Sequence, residues 1–115
     1  MSDCIFCKIV KKEIPAQVIY EDDAVLAFKD ISPQAPVHVL IIPKTHYINV
    51  NDVKPEMAEI FAHLYKAAKI VAEKSGVAQK GYRCVMNTNP EGGQTVYHLH
   101  LHVLGGQQMG PNMVG

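Results

Sequence analysis

Three histidines near the C-terminal end of the chain, His98, His100 and His102, alternate with apolar residues. Successive side chains of a β-strand point to opposite faces, so a strand over Tyr97–Leu104 would place all three imidazoles on one face. Neutral imidazole both donates and accepts hydrogen bonds and titrates near neutral pH. One ring of such a row can therefore act as a nucleophile while its neighbours fix its tautomer and move protons. The spacing predicts histidine-based catalysis.

The segment just before these histidines, Asn87–Thr95, has the composition of a phosphate-binding loop. Gly92 and Gly93 allow the backbone to approach an anion, and side chains such as Gln94 can donate hydrogen bonds to phosphate oxygens. Only the short stretch Val96-Tyr97 separates this loop from the first histidine. The hydrogen-bond donors and a histidine nucleophile are thus predicted to converge on one phosphorus atom.

Two other interpretations of these residues are weaker. A single histidine in a strand is usually structural, and a glycine pair before a strand is usually a turn. Three alternating histidines directly after a donor-rich loop fit that interpretation poorly. The other alternative is a metallohydrolase in which the three imidazoles bind a catalytic zinc ion, but such sites generally take their ligands from other spacings or from several elements. Turnover that resists chelators would exclude it.

The elements that must position these residues can be predicted from apolar patterning. A short helix is predicted around Ile5–Val10, ended by Pro15, and a long helix over Pro55–Ser75, where apolar residues recur every three or four positions. Short apolar runs between turn residues predict strands. These runs are Val18–Glu21, Ala24–Phe28, Val37–Ile42, Tyr82–Met86 and Tyr97–Leu104. Strands clustered around one helix, with connections too short for repeated parallel crossovers, indicate the α+β class with an antiparallel sheet.

The composition indicates one ordinary globular domain spanning residues 1–115. The 11 basic residues balance the 11 acidic ones and are scattered, which argues against general binding to nucleic acids or membranes. No apolar run approaches the roughly 18 to 20 residues of a membrane span, and we expect a cytoplasmic protein. Three cysteines, an odd number, suggest reduced thiols instead of a disulfide framework.

With these residues taken together, the chain resembles the histidine triad (HIT) superfamily, and within it the Hint-like branch of purine nucleoside phosphoramidate hydrolases. The matching segments cover nearly the whole length. They are Ile5–Ile9, Glu13–Pro15, Phe28–His38 and Gly92–Tyr97, followed by the triad itself. The resemblance implies a HIT-like fold, with a five-stranded antiparallel sheet, one long helix and a short N-terminal helix. It also implies a homodimer in which the sheet extends across the subunit interface.

The resemblance further implies that His100 is the nucleophile and forms a nucleotidyl-imidazole intermediate that water then releases. His98, His102 and His38 would be its hydrogen-bonding companions. Further roles are implied for residues outside the triad. Asn87, Gly93, Gln94 and Thr95 would hold the α-phosphate, Asp30 the ribose hydroxyls, and Ile5, Phe6, Ile9, Ile14, Phe28 and Ile31 the base. Composition alone would assign these last six residues to the core.

The function implied is hydrolysis of purine nucleoside 5′-phosphoramidates or related adenylated compounds, with AMP as product and no cofactor required for catalysis. A dinucleoside polyphosphate hydrolase is the nearest alternative, and a nucleotide-binding regulatory module with little turnover is another. Many relatives end in Trp-Pro-Pro, whereas the tail Gly106–Gly115 has no Trp. This departure leaves the preferred leaving group open.

A structural zinc site is suggested at the N-terminus. Cys4 and Cys7 have the two-residue gap that one metal ion can bridge. Some bacterial relatives combine such a pair with two histidines, which match His46 and His98 here. Two thiolates and two imidazoles suit a closed, tetrahedral zinc site with no position for substrate. The alternative is that both cysteines are free thiols.

Overall fold

The computed structural model describes residues 3–111, which form one antiparallel sheet with helices on its two faces. The helices are α1 (Ile5–Val10) and α2 (Glu59–Lys74). The strands are β1 (Val18–Glu21), β2 (Val25–Lys29), β3 (Val37–Pro43), β4 (Tyr82–Val85) and β5 (Leu101–Gly105). Single 3-10 turns occur at Val50–Asp52, Pro55–Met57 and Pro90–Gly92. The predicted α+β class with a five-stranded sheet, a long helix and a short N-terminal helix is confirmed.

The strand order is β1-β2-β3-β5-β4, and every neighbouring pair is antiparallel. The central strand is therefore β3, and one of its two neighbours is β5, which is far from it in sequence. In their register His38 lies opposite Leu104, and Leu40 lies opposite His102. His38 and His102 are thus diagonal neighbours on one face of the sheet, a separation within reach of aromatic side chains.

Alternating side chains of the strands form two apolar layers. On β2, Val25 and Ala27 pack towards α2, whereas Leu26 and Phe28 pack towards α1. The α2 layer is the larger and includes Leu101 and Val103 of β5. The α1 layer is smaller. It consists of Phe6, Ile9, Leu26, Phe28, Leu40 and Ile42, with residues such as Ile14 packed against it.

The long helix begins later than predicted. Residues Pro55–Met57 form a 3-10 turn, and α2 starts at Glu59. Met57, which the apolar pattern assigned to the buried face, is half exposed. At the other end Gly76 adopts a left-handed conformation with φ of +75°, and its N–H donates to the carbonyl of Glu73. Gly76 thus caps the helix, because a residue without Cβ adopts that conformation at little cost.

The last strand is shorter than predicted, because it begins at Leu101 and not at Tyr97. Its partner β3 ends at Pro43, which has no N–H to donate, and the carbonyl of Pro43 lies 2.9 Å from His98 Nε2. The N–H of Leu99 donates instead to the carbonyl of Tyr47, at 2.7 Å. His98 and His100 therefore lie in a segment that precedes β5 and is held by a neighbouring loop.

Within the described residues, no helix is both long enough and apolar enough to cross a lipid bilayer.

Candidate active site

A cavity of about 240 Å³ lies on the α1 side of the sheet. Its walls are mostly apolar and come from α1, β2, β3 and the segment after the 3-10 turn at Pro90–Gly92. The polar groups that line it are Asp30, Thr95, His100 and His102. An apolar cavity with a few converging polar groups is the usual form of a small-molecule site.

His100 is 7% exposed, and its ring lines the cavity. Its Nδ1 lies 2.7 Å from the backbone carbonyl of His98. A carbonyl oxygen can only accept a hydrogen bond, so Nδ1 carries the proton and Nε2 of the neutral ring keeps a free lone pair. Burial lowers the pKa of His100, which favours this neutral form. The unprotonated Nε2 is thus the nitrogen of this ring that could act as a nucleophile.

A second set of hydrogen bonds fixes the tautomers of His38 and His102. The backbone N–H of Gln34 donates to His38 Nδ1 at 3.1 Å, so a neutral His38 carries its proton on Nε2. That nitrogen lies 2.9 Å from His102 Nδ1, which accepts the bond. His102 must then carry its own proton on Nε2. Backbone groups therefore determine which nitrogen of each ring can donate.

His38 and His102, the two partners of this hydrogen bond, both stay neutral at physiological pH. Burial, together with the neighbouring His100 and His38, lowers the pKa of His102 to about 4. Burial also lowers the pKa of His38, an effect that the Asp30 carboxylate opposes. Asp30 Oδ2 lies 3.6 Å from His38 Nε2. The site therefore contains neutral imidazoles with one carboxylate beside them.

His98 differs from its predicted role as a hydrogen-bonding companion of His100. Its side chain is fully buried and its Nε2 bonds to the carbonyl of Pro43. Only its backbone carbonyl bonds to the His100 ring. Burial, opposed by the bond to Pro43, lowers the pKa of His98 to about 4. The main chain of His98 thus orients the His100 ring, while the side chain of His98 belongs to another cluster.

That cluster also contains Cys4, Cys7 and His46. The four potential ligand atoms all lie within 4.8 Å of one another. His98 Nδ1 is 3.3 Å from Cys4 Sγ and 3.1 Å from His46 Nδ1, and Cys7 Sγ is 3.3 Å from His46 Nδ1. A tetrahedral zinc ion with bonds of about 2.0 to 2.3 Å would separate its ligands by roughly 3.3 to 3.8 Å. The four residues predicted as ligands are therefore brought together at a compatible spacing.

The predicted phosphate loop is only partly as expected. Thr95 lines the cavity. A Cβ on Gly93 would lie 3.9 Å from Asn87 Nδ2, so the Asn87 amide sits beside this glycine, whose φ is +84°. The prediction that the Gln94 side chain holds the α-phosphate is corrected. This side chain is 5% exposed, and both Nε2 protons are donated to the carbonyls of Ile48 and Val96. Gln94 therefore has no side-chain donor left for phosphate.

Most of the predicted nucleoside-binding residues surround the cavity. The lining includes Ile5, Phe6, Ile9, Phe28, Asp30 and Ile31. Phe6 packs edge-on against Phe28 and His100, with ring centroids 5.5 and 5.3 Å away. The prediction that Ile14 contacts the base is corrected, since Ile14 packs against the α1 layer and is not part of the cavity lining. Asp30 Oδ1 accepts from the N–H of Ser32 at 2.7 Å, which leaves Oδ2 for a ligand.

Three groups that hold the site residues in place were not predicted from the sequence. The carbonyl of Pro43 and the N–H of Gln34 are backbone groups, and no residue type signals them. Asn49 is a buried carboxamide in the loop after β3, bonded to Gln94. From the sequence, a polar residue in the stretch His46–Asn51 is indistinguishable from an ordinary loop residue. Only the burial of Asn49 in the structure shows that it has a structural role.

Most of the chain matches one protein family. The family described as HIT domain matches residues 11–109. The chain belongs to the HIT family. The purine nucleoside phosphoramidase of Escherichia coli K12 is 50% identical over 109 residues, which cover 95% of this chain and 92% of that protein. The 14 kDa zinc-binding protein of Zea mays is 51% identical over 110 residues, covering 94% of this chain and 85% of that protein.

Solved HIT structures share the fold described above. A HIT family hydrolase from Clostridium thermocellum has a TM-score of 0.96 and 52% identity, with 99% of each chain covered. A histidine triad protein from Clostridium difficile has a TM-score of 0.94 and 43% identity, with 96% of each chain covered. The resemblance drawn from the triad and its preceding loop is therefore confirmed.

Proposed function

We propose that this HIT protein hydrolyses purine nucleoside 5′-phosphoramidates at the α-phosphorus through a covalent intermediate on His100. The observation that carries the proposal is the 2.7 Å bond from His100 Nδ1 to the carbonyl of His98, because it leaves Nε2 unprotonated at a cavity wall. A buried, oriented lone pair is what nucleophilic catalysis by histidine requires. The name of the Escherichia coli relative supports this reaction class.

In the first step His100 Nε2 forms a bond to the α-phosphorus and the P–N bond of the substrate breaks. The departing amine takes up a proton from solvent and leaves, and the water that attacks in the second step returns a proton to solvent. In the second step water attacks the same phosphorus, the bond to Nε2 breaks, and the nucleoside monophosphate is released with the imidazole restored. His102 Nε2–H, whose position is fixed by His38, donates a hydrogen bond to the phosphoryl group as negative charge develops.

The cavity is suited to the nucleoside. Its apolar walls accept a planar base, and the Asp30 carboxylate can accept hydrogen bonds from two adjacent ribose hydroxyls. Thr95 lies at the same cavity and, with Asn87 and Gly93, supplies the donors that we assign to the α-phosphate. Gln94 acts by shaping this loop, since its own donors are occupied.

The deciding experiment compares adenosine 5′-phosphoramidate with diadenosine polyphosphates, using wild-type protein and His100→Asn. We expect the wild type to release AMP from the phosphoramidate, and acid quench during turnover to trap a nucleotidyl-protein. His100→Asn should lose at least a thousandfold in turnover and form no adduct. Near-normal turnover by the variant would refute the nucleophile. Preference for the dinucleotides would make the protein a dinucleoside polyphosphate hydrolase, and binding without turnover would make it a regulatory module.

We also propose that Cys4, Cys7, His46 and His98 bind a structural zinc ion. The spacing of their ligand atoms fits, and the bond from His98 Nε2 to the Pro43 carbonyl leaves Nδ1 free for a metal. Zinc bound there would tie the start of α1 to the segment before β5 and take no part in the reaction. The name of the maize relative supports the assignment. Absence of stoichiometric zinc after purification without chelators would refute it.

A further inference from the structure

Asn49 is a buried side chain of the loop after β3, 4% exposed and 45 residues before Gln94 in sequence. Burying a carboxamide costs free energy unless it is hydrogen-bonded. Here Nδ2 donates to Gln94 Oε1 at 3.2 Å and to Asn89 Oδ1 at 3.0 Å. We propose that Asn49 is a positioning residue that holds the loop 87–95 in the conformation that binds the α-phosphate. This inference rests on the proposed function, which assigns that loop to phosphate.

Gln94 transmits the effect of Asn49 to the loop. Its Oε1 accepts from Asn49 Nδ2 and also from the N–H of Asn89, at 2.8 Å. Its Nε2 donates to the carbonyls of Ile48 and Val96, at 2.8 and 3.1 Å. The carboxamide of Gln94 is thus bonded on both sides, and Thr95 of the cavity wall is the next residue along the chain.

The backbone of Asn89 shows why the loop needs this support. Asn89 has a φ of 64°, a conformation that residues with a Cβ seldom adopt. Gln94 holds the Asn89 backbone twice, since its Oε1 accepts from the Asn89 N–H and its own N–H donates to the Asn89 carbonyl at 3.1 Å. Asn49 holds the Asn89 side chain. Loss of the Asn49 donors would let this turn relax, which would move Gly93 and Thr95.

The same short segment also holds the nucleophile. Along 46–49, the carbonyl of Tyr47 accepts from the N–H of Leu99, the carbonyl of Ile48 accepts from Gln94, and Asn49 follows. This segment takes the place of the strand partner that β3 no longer provides beyond Pro43. The phosphate loop and the backbone next to His100 are therefore both hydrogen-bonded to the one short segment 46–49.

The test compares binding of adenosine and AMP to wild-type protein, Asn49→Ala, Asn49→Asp and Asn51→Ala. Asn49→Asp keeps the size of the side chain and the oxygen that accepts from the N–H of Asn51, but has no donor. Asn51→Ala removes an exposed carboxamide from the same turn and is the matched control. Calorimetric titration gives both affinities, and thermal melts followed by circular dichroism show that each variant is folded.

We expect both Asn49 variants to bind AMP about tenfold more weakly while adenosine affinity changes less than twofold, because only the phosphate meets the loop. Asn51→Ala should match the wild type for both ligands. Equal weakening of adenosine and AMP in folded Asn49→Asp, or no weakening, would overturn the inference, and this variant decides the matter if Asn49→Ala does not fold. A wild type that neither binds AMP nor turns over would instead refute the proposed function.

Discussion

Two backbone groups at opposite ends of the site determine the protonation pattern of three imidazoles. The carbonyl of His98 places the proton of His100 on Nδ1, and the N–H of Gln34 places that of His38 on Nε2, which in turn fixes His102. Main-chain groups keep their donor or acceptor character at every pH, whereas a side-chain partner could titrate. The site is therefore organised before any ligand arrives, which lowers the reorganisation needed for catalysis.

Asp30 provides a test of the nucleoside site at the level of one residue. Asp30→Asn keeps an oxygen for the N–H of Ser32 but makes a weaker acceptor for ribose hydroxyls. We expect AMP binding to weaken by about 1 to 3 kcal/mol, the usual cost of losing hydrogen bonds to a charged group. Binding of 2′,3′-dideoxy-AMP should hardly change. Asp23→Asn, which alters an exposed carboxylate, is the control, and equal losses for both ligands would contradict the ribose role.

The buried imidazole of His102 predicts how stability depends on pH. Its pKa is lowered to about 4 in the folded protein by burial, whereas an unfolded chain has the ordinary value of about 6.5. The unfolded state therefore binds more protons between these values, so the contribution of His102 to stability is constant above about pH 6.5 and falls as the pH drops towards 4. Urea denaturation of metal-free protein should therefore give a lower free energy of unfolding at pH 5 than at pH 7.5.

His102→Gln should make that pH dependence shallower, because the titrating group is gone. His63→Gln is the matched control, since it removes an imidazole that is 40% exposed on α2. If both variants keep the wild-type slope, the neutral state of His102 does not contribute to stability.

At the level of elements, alternation in the sequence predicted side-chain directions better than it predicted strand boundaries. Leu99 and Leu101 do pack in the α2 layer while His100 and His102 line the cavity on the other face, as predicted. The strand start was wrong because it depends on Pro43, a residue of another strand whose missing N–H ends the pairing. The residues of β5 alone do not indicate where its partner strand ends.

The phosphate loop shows the same limit. Its residue types were sufficient to place a donor-rich turn before the histidines, where Thr95 lines the cavity and the Asn87 amide lies beside Gly93. Gln94 has the same chemical type but faces the interior, where Asn49 meets it. Which amide points outwards depends on contacts 45 residues away in sequence, and local composition cannot specify these.

The connection of α1 to the rest of the molecule predicts an effect of metal on the nucleotide site. Cys4 precedes α1 and caps it, since its Sγ accepts from the N–H of Cys7. Phe6 of the same helix packs against His98 and His100. Zinc at the four predicted ligands would therefore fix the helix that forms the wall of the base pocket.

Removal of one ligand tests this connection. Cys7→Ser should lose stoichiometric zinc by elemental analysis, melt at a lower temperature and bind AMP several-fold more weakly. Cys84→Ser removes a thiol that packs against the α2 layer, away from the cluster, and should keep its zinc. Full zinc content in Cys7→Ser would refute the ligand assignment. Zinc loss with unchanged AMP affinity would show that α1 holds its position without metal.

For the molecule as a whole, the sheet order leaves β1 and β4 as edges with unpaired backbone groups. Such edges invite pairing with another chain unless they are protected. The register of β1 is irregular between Val18 and Tyr20, and Glu21 on β1 forms ion pairs with two lysines. The β4 edge pairs with β5 in continuous register. We expect a homodimer, and these features favour β4 as its interface.

The dimer prediction can be tested by placing a charge on each edge in turn. Sedimentation of the wild type at micromolar concentration should give the mass of two chains. Tyr82→Glu would bring two carboxylates together across a β4 interface and should give a monomer, since Tyr82 is 37% exposed in the single chain. Val18→Glu alters a side chain on the β1 edge that is 44% exposed, and should remain a dimer.

The outcomes separate the two edges. A wild type of monomer mass would remove the dimer altogether, and dissociation by Val18→Glu but not by Tyr82→Glu would move the interface to β1. Residues 112–115 of the C-terminal tail lie outside the described residues. Arg83 of β4 nevertheless donates to the carbonyl of Gly110 at 3.1 Å, which holds the chain just before them beside this edge. A β4 interface would therefore place Gly110 next to the partner subunit, and Tyr82→Glu should also change turnover if the partner subunit contributes to substrate preference.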